Sequence, residues 1–384
     1  MPLIVSGSGV VLKDDRGREL IDACAGPFLA ALGQGNERVL AAMTAQGRQL
    51  TYVYSRMVRH DANARLSGRL SAMLGHGWDR VHLTSGGSEA NEMAIKMVRL
   101  RALARGETDR TRVITLMPSY HGATVQTLGC NGDFAATATW GPMTVEAERI
   151  PAPLTFRAAS PEAAAASSLD ALAATLQRVG EERVLAILVE PIGGQSSGVN
   201  VPHHSFARHL RRVCDQTGIA LVFDEIVTAF RTGHALAADH DPQARPDLIT
   251  LAKGLGAGYA PLGAVVTSHD LVDELADSVG FTVSHSYDAS PIACAAGEAV
   301  LAEIEERELI AHAARQGQRL REGLQYLASL HPVIGDVRGR GLLQAIELVA
   351  EPKTAALFPS GVDPAQVVAS IALDHGLLLY ARRQ

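Results

Sequence analysis

From residue 81 onward, short apolar, β-branched runs alternate with stretches of helical spacing. Residues 81–84, 113–116, 184–189 and 219–223 are short apolar, β-branched runs of strand length, and 219–223 reads as a buried strand. Between them, residues 89–104 and 204–217 repeat apolar positions at helical intervals, and residues 247–252 and 262–267 read as two further strands. Such alternation predicts an α/β fold with a mostly parallel sheet covered by helices. Beyond Pro291 the pattern changes. Two helices, 292–307 and 309–330, precede strands at 333–337 and 341–349, a helix at 364–375 and a strand at 377–380. These form a smaller α+β unit that the N-terminal strands 9–13 and 19–22 are expected to join. The division is therefore a large domain over 45–285 and a small one built from 1–44 and 286–384. The segment 151–168, rich in Ala, Pro and Ser, reads as a surface connection.

Composition narrows the chemistry only by exclusion. The chain has 384 residues, ample for two such domains, and its 35 basic and 41 acidic residues leave a net charge of −6. That balance provides no electrostatic reason for nucleic acid or an anionic membrane as partner. Cys24, Cys130, Cys214 and Cys294 are far apart, with no C-x-x-C pair and no histidines at metal-ligand spacing. Free thiols in a reducing compartment and no metal site are the expectation. The N-terminal residues lack a basic stretch followed by an apolar run, and no later run is long and uncharged enough to span a bilayer, so a cytoplasmic protein is expected.

The polar motifs all follow predicted strands, where ligands of such sheets collect. Lys253, between an apolar strand and a glycine turn, is a candidate for imine chemistry, and Asp224, ending a buried strand, is a candidate to hold a proton on a pyridine nitrogen. A salt bridge from Asp224 to Arg231, or a backbone cap, is the structural alternative. Thr84-Ser85-Gly86-Gly87-Ser88-Glu89 stands between strand and helix, where bare amides and the helix dipole favour a phosphate on Gly87 and Ser88. A plain Ser N-cap explains the same residues. The run lacks the Gly-Lys-Ser/Thr of a nucleotide P-loop, and no G-x-G-x-x-G follows the first strand. Tyr120, beside His121, is a candidate to lay its ring on a planar cofactor, with Ile226 on the opposite face; packing or capping by the Tyr-His pair is the structural alternative. Glu190 ends another strand, either to polarise a ligand or to cap the next turn.

On these runs, together with Gly258-Tyr259-Ala260-Pro261-Leu262-Gly263 and Ser286-Tyr287-Asp288-Ala289-Ser290-Pro291, the chain resembles the class III aminotransferases, pyridoxal-phosphate enzymes of fold type I. The motifs occur in the family's order over roughly residues 5–380. The resemblance implies that Lys253 holds pyridoxal 5'-phosphate as a Schiff base and that Asp224 keeps the pyridine nitrogen protonated. It further implies that Gly87 and Ser88 bind the phosphate, that Tyr120 stacks on the ring, and that His121, Glu190 and Ile226 belong to the cofactor site. It implies a homodimer in which Ser286, replacing a threonine, reaches the phosphate of the other subunit's cofactor. The expected reaction is ping-pong transfer of an amino group from an amino acid or ω-amine to an oxo acid. Alternatives are an aminomutase or decarboxylase reaction on the same cofactor, or a cofactor-binding member with impaired catalysis.

Three departures stand out. Ala229-Phe230-Arg231-Thr232-Gly233 replaces a Gly-Phe-Gly-Arg-Thr-Gly run, and Val227 stands where many members place a polar residue. Members also usually continue past the segment matching 376–380, whereas this sequence ends at Arg382-Arg383-Gln384, which predicts an unpaired strand edge and impaired stability or activity. Tyr52, Tyr54 and Arg56 fall where the family often lines its substrate pocket.

Overall fold

The computed structural model describes residues 1–133, 138–278 and 280–382; Arg383 and Gln384 lie outside them. Its central element is a seven-stranded sheet with the order β4–β10–β9–β8–β7–β5–β6. In chain order these are β4 (Arg80–Thr84), β5 (Arg112–Met117), β6 (Glu148–Pro151), β7 (Val184–Val189), β8 (Ala220–Asp224), β9 (Leu248–Leu251) and β10 (Gly263–Thr267). The pairs from β6 to β9 are parallel, while β10 runs antiparallel to both β9 and β4. The mostly parallel expectation therefore holds with one reversed strand.

Register decides where the polar motifs arrive. Val189 pairs with Phe223, Asp224 with Thr250, and Thr84 with Gly263. The residues just beyond β4, β5, β7, β8 and β9 consequently emerge along one edge of the sheet. Strand parity then selects the face. Leu221 and Phe223 of β8 enter a core beneath helices Asp61–Leu74, His204–Thr217 and Pro291–Glu306. Ala220 and Val222 turn to the opposite core, against Ala90, Ala94 and Met97 of helix Gly87–Ala104. Asp224 continues that second series and so points at the same helix.

A four-stranded sheet joins the chain termini in the order β1 (Ile4–Ser8), β2 (Val11–Asp14), β3 (Glu19–Asp22) and β13 (Leu377–Leu378). The first pairs are antiparallel and β13 runs parallel to β3 as the last strand of the order, hydrogen-bonded on that one side among the described residues. A hairpin of β11 (Ile334–Arg340) and β12 (Leu343–Leu348) lies against helix Leu309–Leu330. Gly317 on that helix is required for the approach, because a Cβ there would overlap the backbone of Gly341.

Several elements differ from the sequence expectation. Residues 161–168, taken as surface connection, begin helix Pro161–Val179, whose N-cap Ser160 accepts from the Ala163 amide at 3.1 Å. Proline is tolerated in the first helical turn and alanine is the best helix former, so a composition read as loop-like is helical once the cap is recognised. Helices Glu37–Gln49, Asp61–Leu74, Val125–Cys130 and His269–Ala276 and strands β1 and β6 are also absent from the sequence expectation.

Candidate active site

Helix Gly87–Ala104 begins where β4 ends, and its N-cap, Gly86, has no side chain to satisfy the first-turn amides. The Ser N-cap alternative is therefore not what forms. These bare donors, with the helix dipole behind them, make an anion cup. A Cβ on Gly87 would sit 2.8 Å from Ile226 Cδ1, so a larger residue there would make the Ile226 side chain shift. Ser88 Oγ accepts from the Ala123 amide at 3.0 Å, which ties the cup to the loop after β5.

Asp224 is 4 % exposed and its carboxylate is fully directed. Oδ2 receives Asn91 Nδ2 at 2.8 Å and pairs with His121 Nδ1 at 2.9 Å, while Oδ1 accepts from the Ile226 amide at 3.1 Å. Arg231, the alternative partner, makes no ion pair with it. Asn91 is in turn fixed by donating to His121 O at 2.7 Å and accepting from Thr250 Oγ1 at 2.7 Å. Asn91 is a site residue that the sequence motifs above leave out. Its place one turn after Gly87, on the face of the cup, was the available signal.

Lys253 follows β9 with φ of 37°, a left-handed conformation that costs a non-glycine residue about 1–3 kcal/mol. Its carbonyl is held by the amides of Gly256 at 3.1 Å and Ala257 at 2.8 Å. Burial lowers its ammonium below the ordinary lysine value; Asp224 opposes that shift and Arg231 adds to it. The Nζ lies 5.8 Å from the centre of the Phe28 ring, which itself packs at 5.4 Å on Tyr380. The Tyr380 hydroxyl donates to Gln195, and Arg382 reaches Ser196 Oγ at 3.2 Å and Asp133 at 2.7 Å. Phe28 and Tyr380 had not been singled out, since their segments meet only through the terminal sheet.

A cavity of about 450 Å³ is lined by Gly87, Ser88, Tyr120, His121, Asp224, Ile226, Val227 and Lys253, with Leu29 and Leu262. Seven of the residues expected from sequence thus meet around one space, Asp224, Lys253 and the anion-cup residues Gly87 and Ser88 among them. Glu190 and Ser286 stay outside it within one subunit. Glu190 accepts the Gly194 amide at 2.9 Å and the Tyr120 amide at 3.3 Å, and burial pushes its carboxyl up to about 7. It acts here as a cap for two turns. Ser286 is exposed, as are Tyr52 and Tyr287, whose rings meet edge-on at 6.3 Å. Tyr54 bonds Ser284 at 3.3 Å.

Cup, ring-sized space, acceptor and amine fit a phosphorylated pyridine aldehyde. Among the described residues no cluster of His, Cys, Asp or Glu could hold a metal, and no helix is long and apolar enough to cross a membrane.

Comparison with known proteins agrees with this geometry. The family profile described as aminotransferase class-III matches residues 1–383. A probable aminotransferase of Mycobacterium tuberculosis is 32% identical over 361 residues, covering 93% of this chain and 77% of the relative. A taurine–pyruvate aminotransferase of Bilophila wadsworthia is 30% identical over 377 residues, covering 96% and 82%. Among solved structures, an amine transaminase from an uncultivated Pseudomonas species in its PLP-bound form superposes with a TM-score of 0.94 at 32% identity, covering 100% of this chain and 88% of that one. An uncapped helix start, a buried carboxylate and a buried amine on one wall, and a full-length family match lead to one conclusion: the chain belongs to the class III aminotransferases, pyridoxal-phosphate-dependent transaminases of fold type I.

Proposed function

We propose that Lys253 and Asp224 are the catalytic pair of this aminotransferase, Lys253 holding pyridoxal 5'-phosphate covalently and Asp224 accepting the hydrogen bond of its ring nitrogen. The observation that carries this reading is their joint presence on the wall of one cavity that Gly87 and Ser88, at the uncapped helix start, also line. When bound, the cofactor supplies an electron sink for the carbon that bears the amine. The chain's own residues do the rest. Lys253 Nζ, depressed by burial, is available as a free amine to take and return the proton on the substrate carbon. Asn91 and His121 fix the Asp224 carboxylate so that it needs no reorganisation on binding. Tyr120 and Ile226 line the same space and supply the two faces for the ring. Phe28, with Tyr380 packed on its ring, stands beside Nζ, which favours exclusion of water from the amine.

The substrates are proposed to be an amino acid or ω-amine as donor and an oxo acid as acceptor. The protein is proposed to act as a homodimer in the cytoplasm, with the exposed Tyr52–Tyr287 pair and Ser286 at the subunit interface. Free thiols at Cys24, Cys130, Cys214 and Cys294 support a reducing compartment. The division into a large domain over 45–285 and a small one over 1–44 and 286–384 belongs to the same reading; the terminal sheet β1–β2–β3–β13 supports it.

Borohydride reduction of the cofactor-loaded protein, followed by peptide mass mapping, tests the lysine. The label is expected on Lys253 and is lost in Lys253→Ala; a label on another lysine overturns the assignment. A panel of amine donors, each with and without an oxo acid, tests the reaction. Transamination requires the oxo acid for repeated turnover, whereas turnover without it points to aminomutase or decarboxylase chemistry.

A further inference from the structure

A second cavity, of about 860 Å³, shares no lining residue with the first. It lies between helix His204–Thr217, the loop over residues 232–244, helix Leu309–Leu330 and β11, and its size is that of a small-molecule site. Phe156, Val201, Phe206 and Leu210 make an apolar part. Arg321, Arg340, His234 and His240 make a basic part.

The cations of that basic part are not neutralised. Arg321 donates only to backbone carbonyls, Gly339 O at 3.0 Å and Val337 O at 3.4 Å. Arg340 donates to His240 Nδ1 at 3.2 Å, and the other nitrogen of that ring, Nε2, faces Thr232 O at 3.1 Å. A carbonyl only accepts, so Nε2 carries the hydrogen and Nδ1 receives the guanidinium: the ring is neutral. Burial, then the charge of Arg340, holds His240 down at about 4, in accord with that tautomer. Among the described residues neither guanidinium has a carboxylate partner. The acids of the same lining are already committed: Asp336 pairs with Arg338 at 2.9 Å, Asp241 with Arg208 at 2.7 Å, and burial pushes Glu190 up to about 7. An independent feature points the same way. Thr232 is 2 % exposed, lines this cavity, and its hydroxyl has no hydrogen-bond partner. A buried donor without an acceptor costs about 1–3 kcal/mol.

We propose that this cavity binds a small organic anion, a carboxylate or phosphate on an apolar body, with Arg340, Arg321 and the Thr232 hydroxyl taking the anionic end and Phe156 and Phe206 the body. The site is separate from the cofactor cavity and does not depend on the roles assigned there.

The test uses the holoenzyme, whose phosphate cup is filled by its own cofactor. Binding of benzoate, phenyl phosphate and benzyl alcohol is measured by titration calorimetry on wild type, Arg340→Ala, Arg340→Glu and Thr232→Val, with a thermal melt of each. At least one of the two anions is expected to bind at one site per subunit, and the tighter one identifies the preferred head group. Arg340→Ala is expected to weaken it roughly tenfold, the worth of one charge-assisted hydrogen bond, and Arg340→Glu to abolish it. Equal affinity in wild type and Arg340→Ala, equal affinity for benzyl alcohol, or no millimolar binding of either anion overturns the proposal. Arg340 is exposed, so Arg340→Ala decides the matter even where another variant does not fold.

Discussion

Replacement of Asn91 by Ala tests whether the buried network behind Asp224 is what organises the active site. Asn91 is fully buried and makes three hydrogen bonds: to Asp224 Oδ2 at 2.8 Å, to His121 O at 2.7 Å, and from Thr250 Oγ1 at 2.7 Å. The first engages a carboxylate and is worth about 1.5–3 kcal/mol, the other two about 1 kcal/mol each. The alanine leaves His121 O and Thr250 Oγ1 without these partners in a space too enclosed for easy repair, so a stability loss of about 3–5 kcal/mol is expected. The cofactor should feel the change as well, because Asp224 Oδ2 would keep only His121. Urea unfolding of the apo-protein measures the first effect and pyridoxal phosphate titration the second. Asn91→Asp adds a directional check. Two carboxylates facing each other share a proton more readily at low pH, so its cofactor affinity should be poorer at pH ~8 than at pH ~6. A stability change in Asn91→Ala below about 1 kcal/mol, with unchanged cofactor affinity, would refute the reasoning.

Gly87→Ala should weaken cofactor binding, since its Cβ meets Ile226 Cδ1 at 2.8 Å and makes that side chain shift, and leave the fold intact; equilibrium dialysis and circular dichroism separate the two, and unchanged affinity speaks against a tight cup. Gly317→Ala should lower stability by about 1–3 kcal/mol or more through overlap with Gly341, read by the urea midpoint, with little effect on cofactor affinity per folded molecule. Glu190 is pushed up to about 7 by burial, so its protonated form favours the fold. Its stabilising share is complete below the unfolded value near 4.5 and is lost as pH rises toward 7. Relative to Glu190→Gln, which does not titrate, the wild type should therefore gain stability as pH falls from 7 to 4.5, measured by paired melts across that window.

Much of the large sheet was legible because its strands are buried on both faces and stand out as unbroken apolar runs, as at 184–189 and 219–223. The elements that escaped lie where that contrast fades. Strand β1 (Ile4–Ser8) is exposed throughout, and helix Pro161–Val179 begins in an Ala-Pro-Ser composition shared with loops. The active site divides along the same line. Lys253, Asp224, Gly87 and Ser88 carry their chemistry in their own local motif, so they could be named before any fold was known. Asn91, Phe28 and Tyr380 acquire meaning only from what reaches them, and Glu190, ambiguous as a strand-end acid, resolves into a cap for the Tyr120 and Gly194 amides.

Neighbours along the chain are thus enough to give the alternation of strand and helix and to name the residues proposed to bind a phosphorylated aldehyde. The tertiary structure alone decided which of those residues share a cavity. Register aligned the ends of β7, β8 and β9, parity turned Asp224 toward Asn91, and pairing of β13 with β3 brought Tyr380 to Phe28 beside Lys253. It also left Arg340, Arg321 and Thr232 around a second cavity, since contacts between residues far apart in the chain exist only once the sheet and its helices have packed.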